Sequence, residues 1–172
     1  MKVKPLYILI VIAALAVLLG VYWMGSSSAS TVSAGDNISV YYTGSFTNGT
    51  VFDSNIGRTP LQFTAGSNQL IIGFSQGVIG MKLNETKTIT LQPNEAYGYY
   101  NQSFVIPVPL SRFGNHTVSV GNIITQISGS GQQTEGIITA LNNTTAIVDF
   151  NSPLSGKTLI FNVTVVKIQK KQ

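Results

Sequence analysis

The chain contains no cysteine, a single histidine and a single tryptophan, and only 9 % of its 172 residues are charged. The missing cysteines exclude a disulfide framework, a Cys-based zinc site and a lipidated N-terminal cysteine. His116, preceded by Gly114 and Asn115, reads as a solvated loop residue, and no His-rich tail offers metal ligands. Charge falls well below the ~25 % usual for soluble proteins. Acids are the scarcer sign: Asp36, Asp53, Glu85, Glu95, Glu135 and Asp149 are all there are. The pI of 9.4 therefore reflects few acids, not a basic face. Setting Lys2 and Lys4 aside takes the net charge from +4 to +2, and Lys167, Lys170 and Lys171 form a C-terminal tail. No basic surface interleaved with aromatics remains, so nucleic acid is not an expected partner. Gly129-Ser130-Gly131 lacks the strand-to-helix context of a phosphate loop.

What is present begins with Pro5 to Met24, twenty residues without a charge. That is close to the ~20 needed for a helix to cross a hydrocarbon core. Tyr22 and Trp23 stand at its outer end, where amphipathic rings favour the interface. Lys2 and Lys4 precede it and the next cation is Arg58. The positive-inside bias then places the N-terminus in the cytoplasm and the rest outside. Residues 1–24 are thus expected to be a single-pass cell-membrane anchor and 25–34, rich in serine, a flexible linker. A cleaved signal peptide competes, with Ser27-Ser28-Ala29 as its site, but its apolar core usually runs only about 7–15 residues. Eight Asn-x-Ser/Thr sequons, at Asn37, Asn48, Asn84, Asn101, Asn115, Asn142, Asn143 and Asn162, fit an exterior compartment and possible N-glycans. A polar, Asn/Thr-rich composition also inflates that count.

Beyond the linker the pattern is mostly β. Ile38 to Tyr42, Val51-Phe52 after an Asn48-Gly49 turn, Thr86 to Leu91, Thr134 to Leu141 and Thr145 to Phe150 are strand candidates. Leu159 to Ile168 alternates most clearly, with Leu159, Phe161, Val163 and Val165 on one face. Gly73, Gly77 and Gly80 argue against a helix over 73–81 on propensity.

Six short strings recur in order: Tyr41-Tyr42-Thr43-Gly44, Val51-Phe52-Asp53-Ser54, Pro60-Leu61-Gln62-Phe63, Leu70-Ile71-Ile72-Gly73-Phe74, Gly80-Met81 and Ala96-Tyr97-Gly98. In that order and spacing they resemble the FKBP-type peptidyl-prolyl cis/trans isomerases over roughly residues 35 to 168. The resemblance implies an α+β fold: an antiparallel β-sheet wrapped around a short helix, which restores a helix near Gly73. Residues 35–99 and 150–172 would form this catalytic domain. The return through Asn151, Leu154 and Gly156 looks like the SlyD-like branch, in which residues 100–149 would be an inserted β-rich chaperone subdomain.

The resemblance also implies residue roles. Tyr42, Asp53 and Tyr97 would be catalytic. Phe52, Arg58, Leu61, Leu70, Ile71, Phe74 and Phe161 would bind substrate, with Phe74 as the floor of a proline pocket. The Ile71 N–H and the Tyr97 hydroxyl would bond substrate carbonyls. Asp53 would be held by Arg58 and the Tyr42 hydroxyl beside the twisting carbonyl. No cofactor or metal is implied. In the insert, Ile106, Val108, Leu110 and Phe113 either build its own small core or form a client-binding patch. The expected function is isomerisation of proline-containing and unfolded polypeptides outside the membrane, by a monomer. Two alternatives stand beside it: a tethered holdase with little turnover, and a glycosylated all-β surface module.

Overall fold

The computed structural model describes residues 31–127, 131 and 133–171. The expected anchor and residues 25–30 of the expected linker lie outside that range. Among the described residues no helix is long and apolar enough to cross a membrane.

Ten strands and helices carry the architecture: β1 (Asn37–Phe46), β2 (Val51–Ser54), β3 (Leu61–Thr64), α1 (Ile72–Gly77), β4 (Thr86–Leu91), β5 (Val105–Pro109), β6 (Ile123–Ile127), β7 (Gln133–Leu141), β8 (Thr145–Asp149) and β9 (Leu159–Gln169). They form two antiparallel sheets. The first runs β2-β1-β9-β4, with β3 also paired to β1. Because β9 covers one edge of β1 along its whole length, β2 and β3 share the other edge end to end. The alternation read in β9 holds: Leu159, Phe161, Val163 and Val165 are all buried. They meet Ile38 and Val40 of β1, Ile89 and Leu91 of β4, and Phe74, Val78 and Met81 around the helix in one core.

α1 forms despite its glycines because they permit close approach. A β-carbon on Gly73 would lie 2.5 Å from Leu91 and 2.9 Å from the Glu95 carbonyl, and one on Gly77 would lie 2.8 Å from Ile89. Packing of the helix on β4 thus outweighs the ~1 kcal/mol per glycine lost in propensity.

The second sheet runs β5-β8-β7-β6 and occupies the segment between the two halves of the first. Its buried centre is small, Ile138, Ala146 and Val148, and Val108, Leu110, Phe113, Val118, Ile124 and Phe150 pack around it half-buried. β5 includes Pro107 and Pro109, which cannot donate to a ladder. It is accordingly an edge strand, paired only with β8.

The linker expectation needs correction at its end. Val32 is buried in the main core, its N–H donates to the Met81 carbonyl, and Thr31 bridges Lys82. Residues 31–34 are therefore part of the folded domain, because Val32 supplies apolar surface that nothing else in the serine-rich stretch could.

A clamp fixes this entry to the last strand. Asp36, 2 % exposed, accepts from Lys170 Nζ at 2.8 Å, Ser33 N at 2.8 Å and Lys171 N at 3.1 Å. Lys170 also donates to the Thr31 carbonyl at 2.6 Å. The Lys170 hydrogen bond, with those of the Ser33 and Lys171 backbone, outweighs burial and pulls the Asp36 carboxyl from its ordinary 3.8 to about 2. A depressed carboxyl stabilises the fold above its unfolded value and loses that contribution as pH falls through the folded value. We expect Asp36→Asn to be less stable than the parent at pH 6, with the gap shrinking between about pH 4 and pH 2. Urea unfolding midpoints across that range measure it; a gap independent of pH would contradict the clamp.

Candidate active site

One open cavity of about 310 Å³ lies between the first sheet and the start of α1. Tyr42, Phe52, Asp53, Leu61, Gln69, Leu70, Ile71, Phe74, Tyr97 and Phe161 line it. They come from across the topology: Tyr42 from β1, Phe52 and Asp53 from β2, Leu61 from β3, Phe161 from β9, Phe74 from the helix, and the others from the segments between.

Aromatic edges build its base. Phe74, 3 % exposed, meets the rings of Phe161, Tyr42 and Phe63 at 5.1, 5.7 and 5.7 Å, the first two edge-to-face. Phe52 stands perpendicular to Phe161 at 5.7 Å, with an interplanar angle of 89°. Edge-to-face pairs at these separations favour the ring quadrupoles and hold the rings in fixed orientations. Gly44 makes room for two of them, since a β-carbon there would lie 2.7 Å from Phe52 and 2.9 Å from Phe161.

Polar groups are few and placed at the rim. The Tyr42 hydroxyl donates to Asp53 Oδ2 at 2.5 Å, which orients the carboxylate. Burial, then the hydrogen bond and charge of Asp53, pushes the Tyr42 hydroxyl up to about 12, against a downward pull from Arg58. Tyr42 thus remains a proton-bearing donor throughout the physiological range. Tyr97 is 44 % exposed, with its ring forming one wall. The N–H of Ile71, just ahead of α1, has no acceptor among the described residues, while its carbonyl accepts from Phe74 and Ser75.

Arg58 departs from expectation. It does not line the cavity, and no ion pair joins it to Asp53 among the described residues. Its backbone N–H closes a turn onto the Asn55 carbonyl and its side chain is exposed. A solvated guanidinium gains little from a surface pair, typically about 0–1 kcal/mol, so nothing draws it onto the carboxylate. Its effect here is a field at Tyr42, not a bond.

A family profile described as FKBP-type peptidyl-prolyl cis-trans isomerase matches residues 28–166. The chain belongs to that family. It is 35 % identical over 116 residues to the FKBP-type peptidyl-prolyl cis-trans isomerase SlyD of Helicobacter pylori, covering 67 % of this chain and 63 % of that protein. It is 30 % identical over 122 residues to a probable FKBP-type 16 kDa isomerase of Pseudomonas fluorescens, covering 71 % of this chain and 81 % of the relative. Over 90 residues it is 41 % identical to FK506-binding protein 2 of Yarrowia lipolytica, covering 51 % of this chain and 62 % of that protein. The chain therefore spans a little under two thirds of the Helicobacter relative's length.

Two residues of this FKBP-type site escaped the sequence reading. Gln69 lines the cavity mouth, its side-chain carbonyl accepting from Thr64 N at 2.9 Å and Ser67 Oγ at 3.2 Å. Nothing in its neighbourhood of the sequence signalled that placement. Asn55 is the second. Where β2 ends and β3 has not yet begun, its amide pairs with β1 as a strand would. Asn55 Oδ1 accepts from Tyr42 N at 2.7 Å and its Nδ2 donates to the Val40 carbonyl at 3.0 Å. Asn55→Ala would leave both β1 groups unpaired at the base of Tyr42, at about 1–3 kcal/mol each if water cannot reach them. We expect a loss of about 2 kcal/mol or more in denaturant unfolding. Unchanged stability would mean that β1 is held in register without Asn55.

In the insert, Ile106, Val108 and Phe113 line a groove of about 500 Å³ between β5 and β6, together with Ile124 and Phe150. Leu110 does not. It packs on the insert's centre and its N–H donates to the Thr144 carbonyl. So small a centre takes up Leu110 together with Val108 and Phe113, which favours the core alternative for these three and leaves Ile106 as the exposed one.

Proposed function

We propose that this protein is a peptidyl-prolyl cis/trans isomerase acting on exported polypeptides from a membrane tether. The observation that carries the reading is the aromatic cavity with its oriented Asp53 carboxylate and an Ile71 N–H unpaired among the described residues. Rotation about an X-Pro amide is slow because resonance must be broken, a barrier of about 18–20 kcal/mol. An apolar base of Phe74, Phe161 and Phe52 would take the proline ring and exclude water from the amide. Water stabilises the charge-separated planar form, so its exclusion favours the twisted one. The Ile71 N–H would hold a substrate carbonyl and the Tyr97 hydroxyl a second, so that binding energy is realised as the amide twists. Asp53, fixed by Tyr42, would face the carbonyl whose oxygen turns. No nucleophile or proton transfer is required. The test is exchange spectroscopy by NMR on an X-Pro tetrapeptide. Faster cis/trans exchange with the full chain at substoichiometric concentration supports the reading, and unchanged exchange sinks it.

The second part of the proposal is chaperone action by the insert. The groove between β5 and β6 supports it, as do Ile123 and Ile127 on edge strand β6, 66 % and 64 % exposed. Unpaired strand edges with apolar side chains are what an extended, unfolded segment can add to. If the insert binds while the pocket turns over poorly, the protein is a tethered holdase. Light scattering of an aggregating client, with the pocket inactivated, separates the two.

The tether and the compartment belong to the proposal as well. The uncharged run from Pro5 to Met24 supports an anchor, and all eight sequon asparagines are exposed and so open to N-glycans. Resistance of the chain to alkaline extraction from membranes tests the anchor; release into the supernatant would refute it.

A further inference from the structure

Of the described aromatic side chains, the exposed ones all fall within eight residues: Tyr97, Tyr99, Tyr100 and Phe104, at 44, 69, 51 and 53 % exposure. The other phenylalanines and tyrosines among the described residues are buried or half-buried. These four follow one another along the segment that leaves the pocket wall and enters the insert, where Ile106, 36 % exposed, continues them onto the groove rim. No charged residue occurs from Ala96 to Ser111.

The segment is also held rigid. Ser155 Oγ donates to the Tyr97 carbonyl at 3.2 Å, Gly156 N to the Gly98 carbonyl at 2.8 Å, and Phe150 N to the Phe104 carbonyl at 3.0 Å. Asn101 and Asn151 exchange two bonds, N–H to Oδ1 at 2.9 Å and Nδ2 to carbonyl at 3.0 Å. Large exposed rings on a fixed backbone cost free energy in water and lose little entropy on binding, the combination found at recognition surfaces.

We propose that this aromatic row is a binding track for the same polypeptide whose proline occupies the pocket, leading it from Tyr97 toward the insert. The inference rests on the isomerase reading. Continuity argues for that occupant: Tyr97 belongs to both pocket and track, and Ile106 to both track and groove. The lack of charge fits an uncharged, apolar stretch of unfolded chain. Phe104 lies seven positions beyond Tyr97, at most about 25 Å of backbone, so a peptide would need up to about seven residues beyond its proline to cover the row.

The test compares the full chain with its Tyr99→Ser/Phe104→Ser variant. Tyr97 is kept because it lines the pocket, and Tyr100 because it lies beside Asp149 at the junction, whose charge acts on its hydroxyl. An X-Pro tetrapeptide and the same core extended by about ten Ala, Leu and Tyr residues, on either side in turn, are the probes. We expect one extension to tighten binding to the parent by about tenfold and the variant to lose most of that gain. Tetrapeptide turnover should be equal in both. Equal length dependence in parent and variant would overturn the track, as would a variant that weakens short and extended peptides alike. A variant that loses only self-association or vesicle binding would assign the row to a second copy or a membrane, and would overturn it too. A parent that binds both peptides but turns over neither would refute the isomerase reading alone, since the binding data still decide the track.

Discussion

Asp53→Ala combined with Tyr97→Phe is expected to lower kcat/KM on an X-Pro tetrapeptide by about 10²-fold or more. In the proposed mechanism the two groups would act on different parts of the twisting amide, the carboxylate near its carbonyl and the hydroxyl on a flanking one. Losing a single preorganised polar partner in a dry site typically costs about 10²–10³ in rate. Here the site is open and Tyr97 is 44 % exposed, which places each single variant at the low end. Structure should survive. Asp53 is exposed, and Tyr97 loses only its hydroxyl while its ring keeps the wall. Stability is expected to change by no more than about 0.5–1 kcal/mol, as for surface substitutions. A double variant that retains more than a third of the parent's kcat/KM would remove both residues from the mechanism. One that unfolds would show that they act structurally.

The largest effect on stability is expected from Phe74→Ala. The ring is 3 % exposed and touches three other aromatic rings, so its removal both loses transfer free energy and leaves a cavity under the pocket. Phe→Ala changes of this kind cost about 3–5 kcal/mol. Against a typical total of about 5–15 kcal/mol, the domain would be left marginal at 37 °C. Phe74→Leu, which keeps most of the volume, should cost well under half as much. Both are read as shifts in urea midpoint at constant slope. If Phe74→Ala costs less than about 1 kcal/mol, the floor of the pocket is not part of the core.

How much was legible follows from which forces leave a mark in local sequence. β9 could be read because its two faces differ, buried Val163 and Val165 against exposed Asn162. Pocket residues were legible only as an ordered set, since each alone is an ordinary strand aromatic. Their common cavity depends on pairings as distant as Tyr42 with Val163. α1 was illegible from propensity because its glycines serve contacts with Leu91 and Ile89, which no local pattern reveals. β5 was hidden by Pro107 and Pro109, allowed there only because the strand lies at an edge. Asn55 gave no signal, because its role is to pair with backbone from Val40 to Tyr42 across a gap between two strands. Arg58 shows the opposite error: the role that the family resemblance implied for it did not make an ion pair with Asp53, since water competes for an exposed guanidinium. Val32 shows that a serine-rich composition marks the start of a domain only to within a few residues.

Catalysis of proline-limited refolding tests the central claim most directly. A model protein whose slow phase is isomerisation of one X-Pro bond refolds over tens to hundreds of seconds without help. The full chain, added at about one hundredth of the refolding protein's concentration, should shorten that phase in proportion to its concentration, and the Asp53→Ala/Tyr97→Phe variant should not. A slow phase unchanged by the parent chain, or shortened equally by the variant, would contradict the assignment of isomerase activity to this pocket.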